Sequence, residues 1–264
     1  MDKIILRPSA IDGFYGCPKQ WYETHIKGRQ SIPSLRAAIG TAVHAGVETG
    51  WTDSMKVKTK IFSVGAIEDA AMEAFKEEEQ KGLVFDEDLG ESRRAAESEI
   101  RSGLDAFVED IVPFTDIPDA VEQRYTVEID HPVIAAVSGT VDYIKTSTGV
   151  IADVKTSKRK PVANNYVTQQ SVYRFLAESK GIDIKHNQIQ GVTFGAKGAV
   201  GHIIPLNADV PHAKVLMNDM LDVLDVYHED KVSPEVLFRG NPNYMFCSPK
   251  YCAFYKECKY AKGE

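Results

Sequence analysis

The sequence predicts an α/β (α+β) fold built as a single domain over residues 1–264, and three observations carry that prediction. First, 264 residues with 43% hydrophobic and 26% charged side chains suffice for one large buried core, and the apolar content excludes a disordered polymer. Second, helical periodicity dominates up to about residue 112. It then gives way to short β-rich runs spaced too closely for a doubly wound parallel sheet. Third, no internal repeat, low-complexity linker or domain boundary interrupts the chain.

The elements follow in order. Ser9 and Asp12 have capping-box spacing ahead of Ile11, Phe14 and Tyr15, which predicts a short helix ending near Gly16-Cys17-Pro18. A second helical piece carries Trp21 and Tyr22. Ile39, Ala42, Val43 and Val47 recur at three- and four-residue steps and predict a helix from 38 to 50, with Gly50 as its stop and His44 on it. Further helices are predicted at 66–80 and about 92–112, the second ended by Pro113.

Strands are predicted at 120–129, 133–138, 140–145 and 150–155, as an antiparallel meander. A helix at about 165–179, strands at 189–194 and 199–206, and a helix at about 210–227 complete the order.

The chain carries a net charge of −7, at first sight a poor match to a nucleic-acid partner, which wants a basic footprint. Residues 68–110 alone hold fifteen Asp and Glu against five Lys and Arg, a net of −10, so the remaining chain sums to +3. The acidic block, an elaboration over about 66–112, reads first as the solvated face of surface helices, turned away from a nucleic acid or shaping its approach. Residues 153–160 and 250–262 are each locally +3. No run of eighteen apolar residues and no secretory leader is present, so an intracellular, cytoplasmic protein with no membrane partner is expected.

Three of the four cysteines, Cys247, Cys252 and Cys258, fall in the last 18 residues, and 229 residues separate Cys17 from the first of them. In an intracellular chain such clustering suits soft-metal ligation better than disulfides. Gaps of four and five residues are longer than the two-residue knuckle of structural zinc, which favours a larger cluster. Four unrelated buried thiols are the alternative.

Asp142 in Gly139-Thr140-Val141-Asp142, and Asp153-Val154-Lys155-Thr156, put two carboxylates and a lysine on neighbouring strands, with Asp153 and Lys155 on one face. Oxygen ligands of this kind hold Mg2+ or Mn2+ for phosphodiester hydrolysis. Taken singly, Asp-x-Lys could equally be an ion pair on an exposed strand, His44 a structural histidine, and Gln169 and Tyr173, four apart on a helix, a polar edge and a core aromatic. Lys155, Lys158, Arg159 and Lys160 could meet a phosphate backbone or form a solvated turn.

Taken together, Ser9 to Tyr22 with Cys17-Pro18, Gly40-Thr41-Ala42-Val43-His44, Gly139 to Asp142, Asp153-Val154-Lys155-Thr156, Gln169 to Tyr173 and the cysteine triplet resemble the RecB-type branch of the PD-(D/E)xK nuclease superfamily. The similarity is to its iron-sulfur members, such as the AddB nuclease domain and the CRISPR-adaptation exonucleases, and spans almost the whole chain.

The resemblance implies a restriction-endonuclease-like core with a central mixed sheet flanked by helices. It implies a metal-dependent exonuclease acting on DNA, at single-stranded ends, in recombination, repair or CRISPR-type processing, in a phage- or prokaryote-type protein. His44, Asp142, Asp153 and the Val154 carbonyl would hold Mg2+ or Mn2+, and Lys155 would be the catalytic lysine. Gln169, Tyr173, Thr156, Lys158 and Arg159 would meet the substrate.

Cys17, Cys247, Cys252 and Cys258 would hold a [4Fe-4S] cluster in a module of about 9–28 and 240–264, with zinc the second choice of occupant. A recombination or CRISPR-adaptation protein as partner, and an oligomer, are compatible with it. One departure is visible: the family's tail has two residues between the first two cysteines of the triplet where this chain has four; Asp153, where other branches use glutamate, is usual for the RecB-type branch. The rivals are a non-catalytic DNA-binding or inhibitory module that keeps the fold and cluster, and a metalloprotein whose acidic pair is structural.

Overall fold

Pro8 starts the first helix, α1 (Pro8–Gly16), because its ring presets φ and its missing N–H costs nothing in a first turn. Arg7 is therefore the N-cap, the expected capping box of Ser9 and Asp12 does not form, and the Asp12 carboxyl bonds Thr168 instead. Pro18 restarts the chain as α2 (Pro18–Trp21), which runs into a π-helical turn, Tyr22–Ile26. The computed structural model describes residues 3–30, 34–83, 85–86 and 90–261. Glu87 and Asp88 of the acidic block and Lys262 of the basic tail lie outside them.

Helices α3 (Leu35–Val57), α4 (Val64–Gln80) and α5 (Arg93–Asp110) follow. The first continues through Gly50, because a side chain there would meet the Phe62 ring: the glycine serves packing and not termination. Ser92 caps α5, its hydroxyl accepting the Ala95 N–H at 3.2 Å. The apolar stripes of α4 and α5, with Ile67 and Phe75 on one and Ile100, Leu104 and Phe107 on the other, are buried. At about 1.5–3 kcal/mol per buried large side chain, those stripes anchor the acidic block.

Six strands form one mixed sheet: β1 (Ile4–Leu6), β2 (Ala120–Glu128), β3 (Ile134–Lys145), β4 (Val150–Ser157), β5 (His186–Gly195) and β6 (Gly198–Leu206). The long β3 pairs antiparallel with β2 along one edge. Its other edge is shared: β1 runs parallel to it at Ile134–Val137, while β4 pairs antiparallel only at Tyr143–Lys145.

The expected meander holds for β2, β3 and β4 and then ends. Helix α6 (Val167–Glu178) is a crossover, so β4 and β5 are parallel over eight residue pairs, and β6 returns antiparallel. Helix α7 (Val210–His228) and the short α8 (Pro234–Leu237) lead into the tail. Helices α3, α4 and α5 cover one face of the sheet, over Tyr143, Ala152, Val154, Val192 and Phe194. Helices α1, α6 and α7 cover the other, over Ile134, Val137, Val141 and Ile151.

The runs expected at 133–138 and 140–145 are one strand. Gly139 continues it, because a Cβ there would lie 2.8 Å from both Pro8 Cγ and Tyr173 Cε1, and its absence lets α1 and α6 seat on the sheet. Gly139→Ala is expected to lower stability by about 1–3 kcal/mol, read as a lower denaturation midpoint; an unchanged midpoint would deny the close packing. No helix among the described residues is long and apolar enough to cross a membrane.

Candidate active site

Strands β3 and β4 part after three paired residues, and charged side chains collect in the fork. Asp142 faces no β4 partner; its Oδ2 accepts the Val154 N–H at 2.6 Å and so bridges the gap. On the opposite edge of β3, the register of 121 with 143 and 123 with 141 sets Glu122 across from Asp142. Glu122 has a φ of +47°, a left-handed conformation that costs a non-glycine residue about 1–2 kcal/mol.

His44 comes from α3, its Nδ1 3.5 Å from Asp142 Oδ2 and its ring bonded to the Val154 carbonyl. One turn earlier, a Cβ on Gly40 would sit 3.0 Å from Thr156 Oγ1, so glycine brings α3 close enough to β4 for this contact. One ligand atom each from His44, Glu122 and Asp142 lie within 4.8 Å of one another.

Asp153 and Lys155 project from the same face of β4, with Nζ to Oδ2 at 2.5 Å. Asp153 is only 2% exposed, and no hydrogen bond of regular geometry satisfies its Oδ2. On α6 above them, Gln169 Nε2 donates to the Tyr173 hydroxyl at 3.1 Å. Burial and the charges of Asp153 and Asp142 push the Tyr173 phenol up. The Tyr166 ring lies 5.9 Å from Lys155 Nζ.

A cleft of about 740 Å³ opens onto this cluster, lined by His44, Glu48, Glu122, Lys155, Thr156 and Phe246 among others. Around the fork the structure gathers His44, Asp142, Val154, Lys155 and Thr156, with Asp153 against Lys155 and the Gln169–Tyr173 pair on α6; of the expected metal ligands, Asp153 stands outside the group of His44, Glu122 and Asp142 whose ligand atoms come within 4.8 Å of one another. It does not bring Lys158 or Arg159 into the cleft wall. Lys158 pairs at 2.7 Å with Glu99 of the acidic helix α5, which also holds Arg36, and Arg159 sits exposed on the turn. Glu122 escaped the sequence reading because its candidacy rests on cross-strand register, and nothing in Val121-Glu122-Gln123 marks it locally.

The electrostatics suit a cation. Burial and the nearby Lys155 lower the His44 imidazole, keeping it neutral as a ligand must be. Burial and the charge of Asp153 push Asp142 up, and burial with the charge of Asp142 pushes Glu122 up to about 7. Burial alone would lower Lys155, but Asp153 and Asp142 outweigh it and hold the ammonium above its usual value. Crowded, half-buried carboxylates beside a neutral imidazole are what a divalent cation relieves, and the oxygen-rich donor set of Glu122 and Asp142 with His44 fits Mg2+ or Mn2+.

A pH dependence follows from the raised carboxyls. Their stabilisation of the folded, metal-free protein is present below the ordinary value of 4.5 for Glu122 and is lost as pH rises through about 7. The Tm of metal-free protein is therefore expected to fall across this window, and Glu122→Gln to flatten the fall. A pH-independent Tm in the parent protein would contradict the repulsive cluster.

Cys17, Cys247, Cys252 and Cys258 line one small cavity with Phe254 and Tyr260. The Asn241 N–H points at Cys17 Sγ, 3.4 Å away. Burial, with the other three thiols close by, pushes the Cys252 thiol up. Among the described residues no three of these sulfurs lie within 4.8 Å of one another. A single zinc ion, with Zn–S near 2.3 Å, would draw them to about 3.8 Å. Four thiols without a carboxylate are soft ligands, the donor type that iron and zinc take.

Among solved structures, an Eubacterium rectale protein carrying the provisional designation exonuclease superposes with a TM-score of 0.56 at 14% identity, over 87% of this chain and 83% of that one; the likeness is one of fold. A second, SSO0001, reaches a TM-score of 0.39 at 15% identity over 85% and 86% of the two chains, too distant to inform the fold. No curated protein sequence matches the chain. Residues 6–259 match the profile of the PD-(D/E)XK nuclease superfamily, a span that includes the fork, the α6 pair and all four cysteines, and the chain belongs to that superfamily.

Proposed function

We propose that this nuclease is a Mg2+- or Mn2+-dependent DNA exonuclease of the RecB/AddB type, acting at single-stranded ends in recombination, repair or CRISPR-type processing. The observation that carries this reading is the meeting of His44, Asp142, Asp153 and Lys155 at the β3–β4 fork, under a cleft of about 740 Å³. His44, Asp142, Asp153 and the Val154 carbonyl would hold the metal, and Glu122 joins them as a ligand. Bound there, the cation supplies an activated water and neutralises charge on the scissile phosphate.

The chain's own groups do the rest. Lys155, held protonated by Asp153, sets a positive charge beside the phosphate and orients the attacking water. The Gln169–Tyr173 bond fixes a phenol over the same carboxylates, where it orients the strand. Thr156 contacts the strand from the cleft wall. Lys158 and Arg159 join on the rim once phosphate competes with Glu99 for Lys158. The four cysteines would bind a [4Fe-4S] cluster with a structural role, tying the two ends of the chain together.

End-labelled single and double strands, incubated with and without Mn2+, test the proposal. Shortening of single strands from an end, dependent on Mn2+ and abolished by chelator, is expected. Intact labels with the metal- and cluster-loaded protein would overturn it.

A further inference from the structure

Three cavities of this molecule form a chain, joined by an aromatic residue at one junction and by an arginine with a serine at the other. The cleft over the fork includes Phe246 and Tyr251 in its wall. Phe246 is also in the wall of a second cavity of about 250 Å³, with Tyr244, Trp21 and His25. Arg7 and Ser9 are common to that cavity and to a third of about 380 Å³, which runs along the strand-free edge of β3 to Arg124, Thr140 and Tyr173.

The rings of Tyr244, Phe246 and Tyr251 stand edge to face in series, with centroids 5.3 and 5.6 Å apart, and Phe246 is 39% exposed. Among the described residues neither Arg7 nor Arg124 forms an ion pair, whereas Arg36 and Lys158, on the other side of the cleft, are both taken by Glu99. Arg124 pairs in register with Thr140, two residues along from Glu122 and Asp142. Two residues of strand rise about 7 Å, comparable with one nucleotide step of an extended strand.

We infer that this chain of cavities is a track for single-stranded nucleic acid, in which Phe246 stacks a base and Arg7 and Arg124 hold backbone phosphate next to the scissile one. The inference rests on the nuclease reading for its direction, toward the fork, and deepens it by naming what recognises the strand. Unpaired guanidiniums attract phosphate, and exposed aromatic faces take up bases that only a single strand presents unstacked. A duplex keeps its bases stacked and leaves Phe246 without a partner, so the track selects single strands. Because Phe246 and Tyr251 directly precede Cys247 and Cys252 in the chain, the cysteine module is what holds the stacking surface at the cleft.

Fluorescence anisotropy with a labelled oligothymidylate, in Ca2+ to suppress turnover, tests the track on the full-length, cluster-loaded protein. A parallel Mn2+ cleavage assay reads KM and kcat. Phe246→Ala is expected to weaken single-strand binding roughly tenfold, raising KM more than it lowers kcat, with Phe246→Trp restoring it and duplex binding unchanged. Arg7→Gln with Arg124→Gln is expected to lower the slope of log affinity against log salt by about 0.7 if they share one phosphate and about 1.4 if they hold two.

Both arginines are exposed, so the variants fold as the parent does. Comparing 5′-phosphate with 5′-hydroxyl oligomers separates a terminal from an internal phosphate as the group held. Parent-like binding and salt slope in all variants, with cleavage intact, overturn the track and leave the nuclease reading standing. Single-strand binding that the variants weaken, without any Mn2+-dependent cleavage, supports the track and overturns the nuclease reading instead.

Discussion

Asp153→Ala is expected to abolish cleavage, with kcat reduced by about a thousandfold or more, while the circular dichroism spectrum and cluster colour persist. Asp153 does two things at once: it places a carboxylate, 2% exposed, in the fork, and its Oδ2 is the 2.5 Å partner of Lys155. Removing the carboxylate leaves Lys155 facing burial with Asp142 as its remaining support, so the ammonium's protonation weakens as well. Asp153→Asn separates charge from volume: it keeps the packing of β4 against α6 and should be nearly as inactive as alanine. Parent-like digestion by either variant would remove Asp153 from the mechanism.

Cys252→Ala is expected to yield colourless protein whose Tm falls by about 10 °C or more, and whose affinity for single strands drops with it. Cys252 lines the same cavity as Cys17, Cys247 and Cys258, so a cofactor held there closes a loop between the two ends of the chain and its binding energy becomes folding energy. The parent protein should be brown, with iron and sulfide in it; stoichiometric zinc in a colourless parent would replace the cluster with a zinc site. A variant as stable and as coloured as the parent would show that Cys252 ligates nothing.

Local periodicity made most of the elements legible. The three- and four-residue steps of Ile39, Ala42, Val43 and Val47 locate α3, and those of Ile100, Leu104 and Phe107 locate α5, because one apolar face suffices to specify a surface helix. Strand alternation likewise put Asp153 and Lys155 on one face, where the structure has them in contact. The same reasoning failed at β1, three residues that show no period, and at Gly139 and Gly50, which look like breaks but make room for Tyr173 and Phe62. It also missed the parallel pairing of β4 with β5, since direction depends on how α6 crosses over and not on the strands' own residues.

The sequence by itself therefore determined the helices and most strands, the Asp153–Lys155 pair, and the residue types available for metal, cluster and substrate. Tertiary structure alone decided that Glu122 faces Asp142 in a left-handed conformation. It likewise decided that Glu99, 59 residues from Lys158, neutralises part of the expected basic patch, and that Arg7 and Arg124 share one cavity with no acidic partner among the described residues. The physical reason is range: a helix or strand is written in neighbours a few residues apart, whereas charge pairing, register and cavity walls join residues that meet only once the sheet and its covering helices have packed.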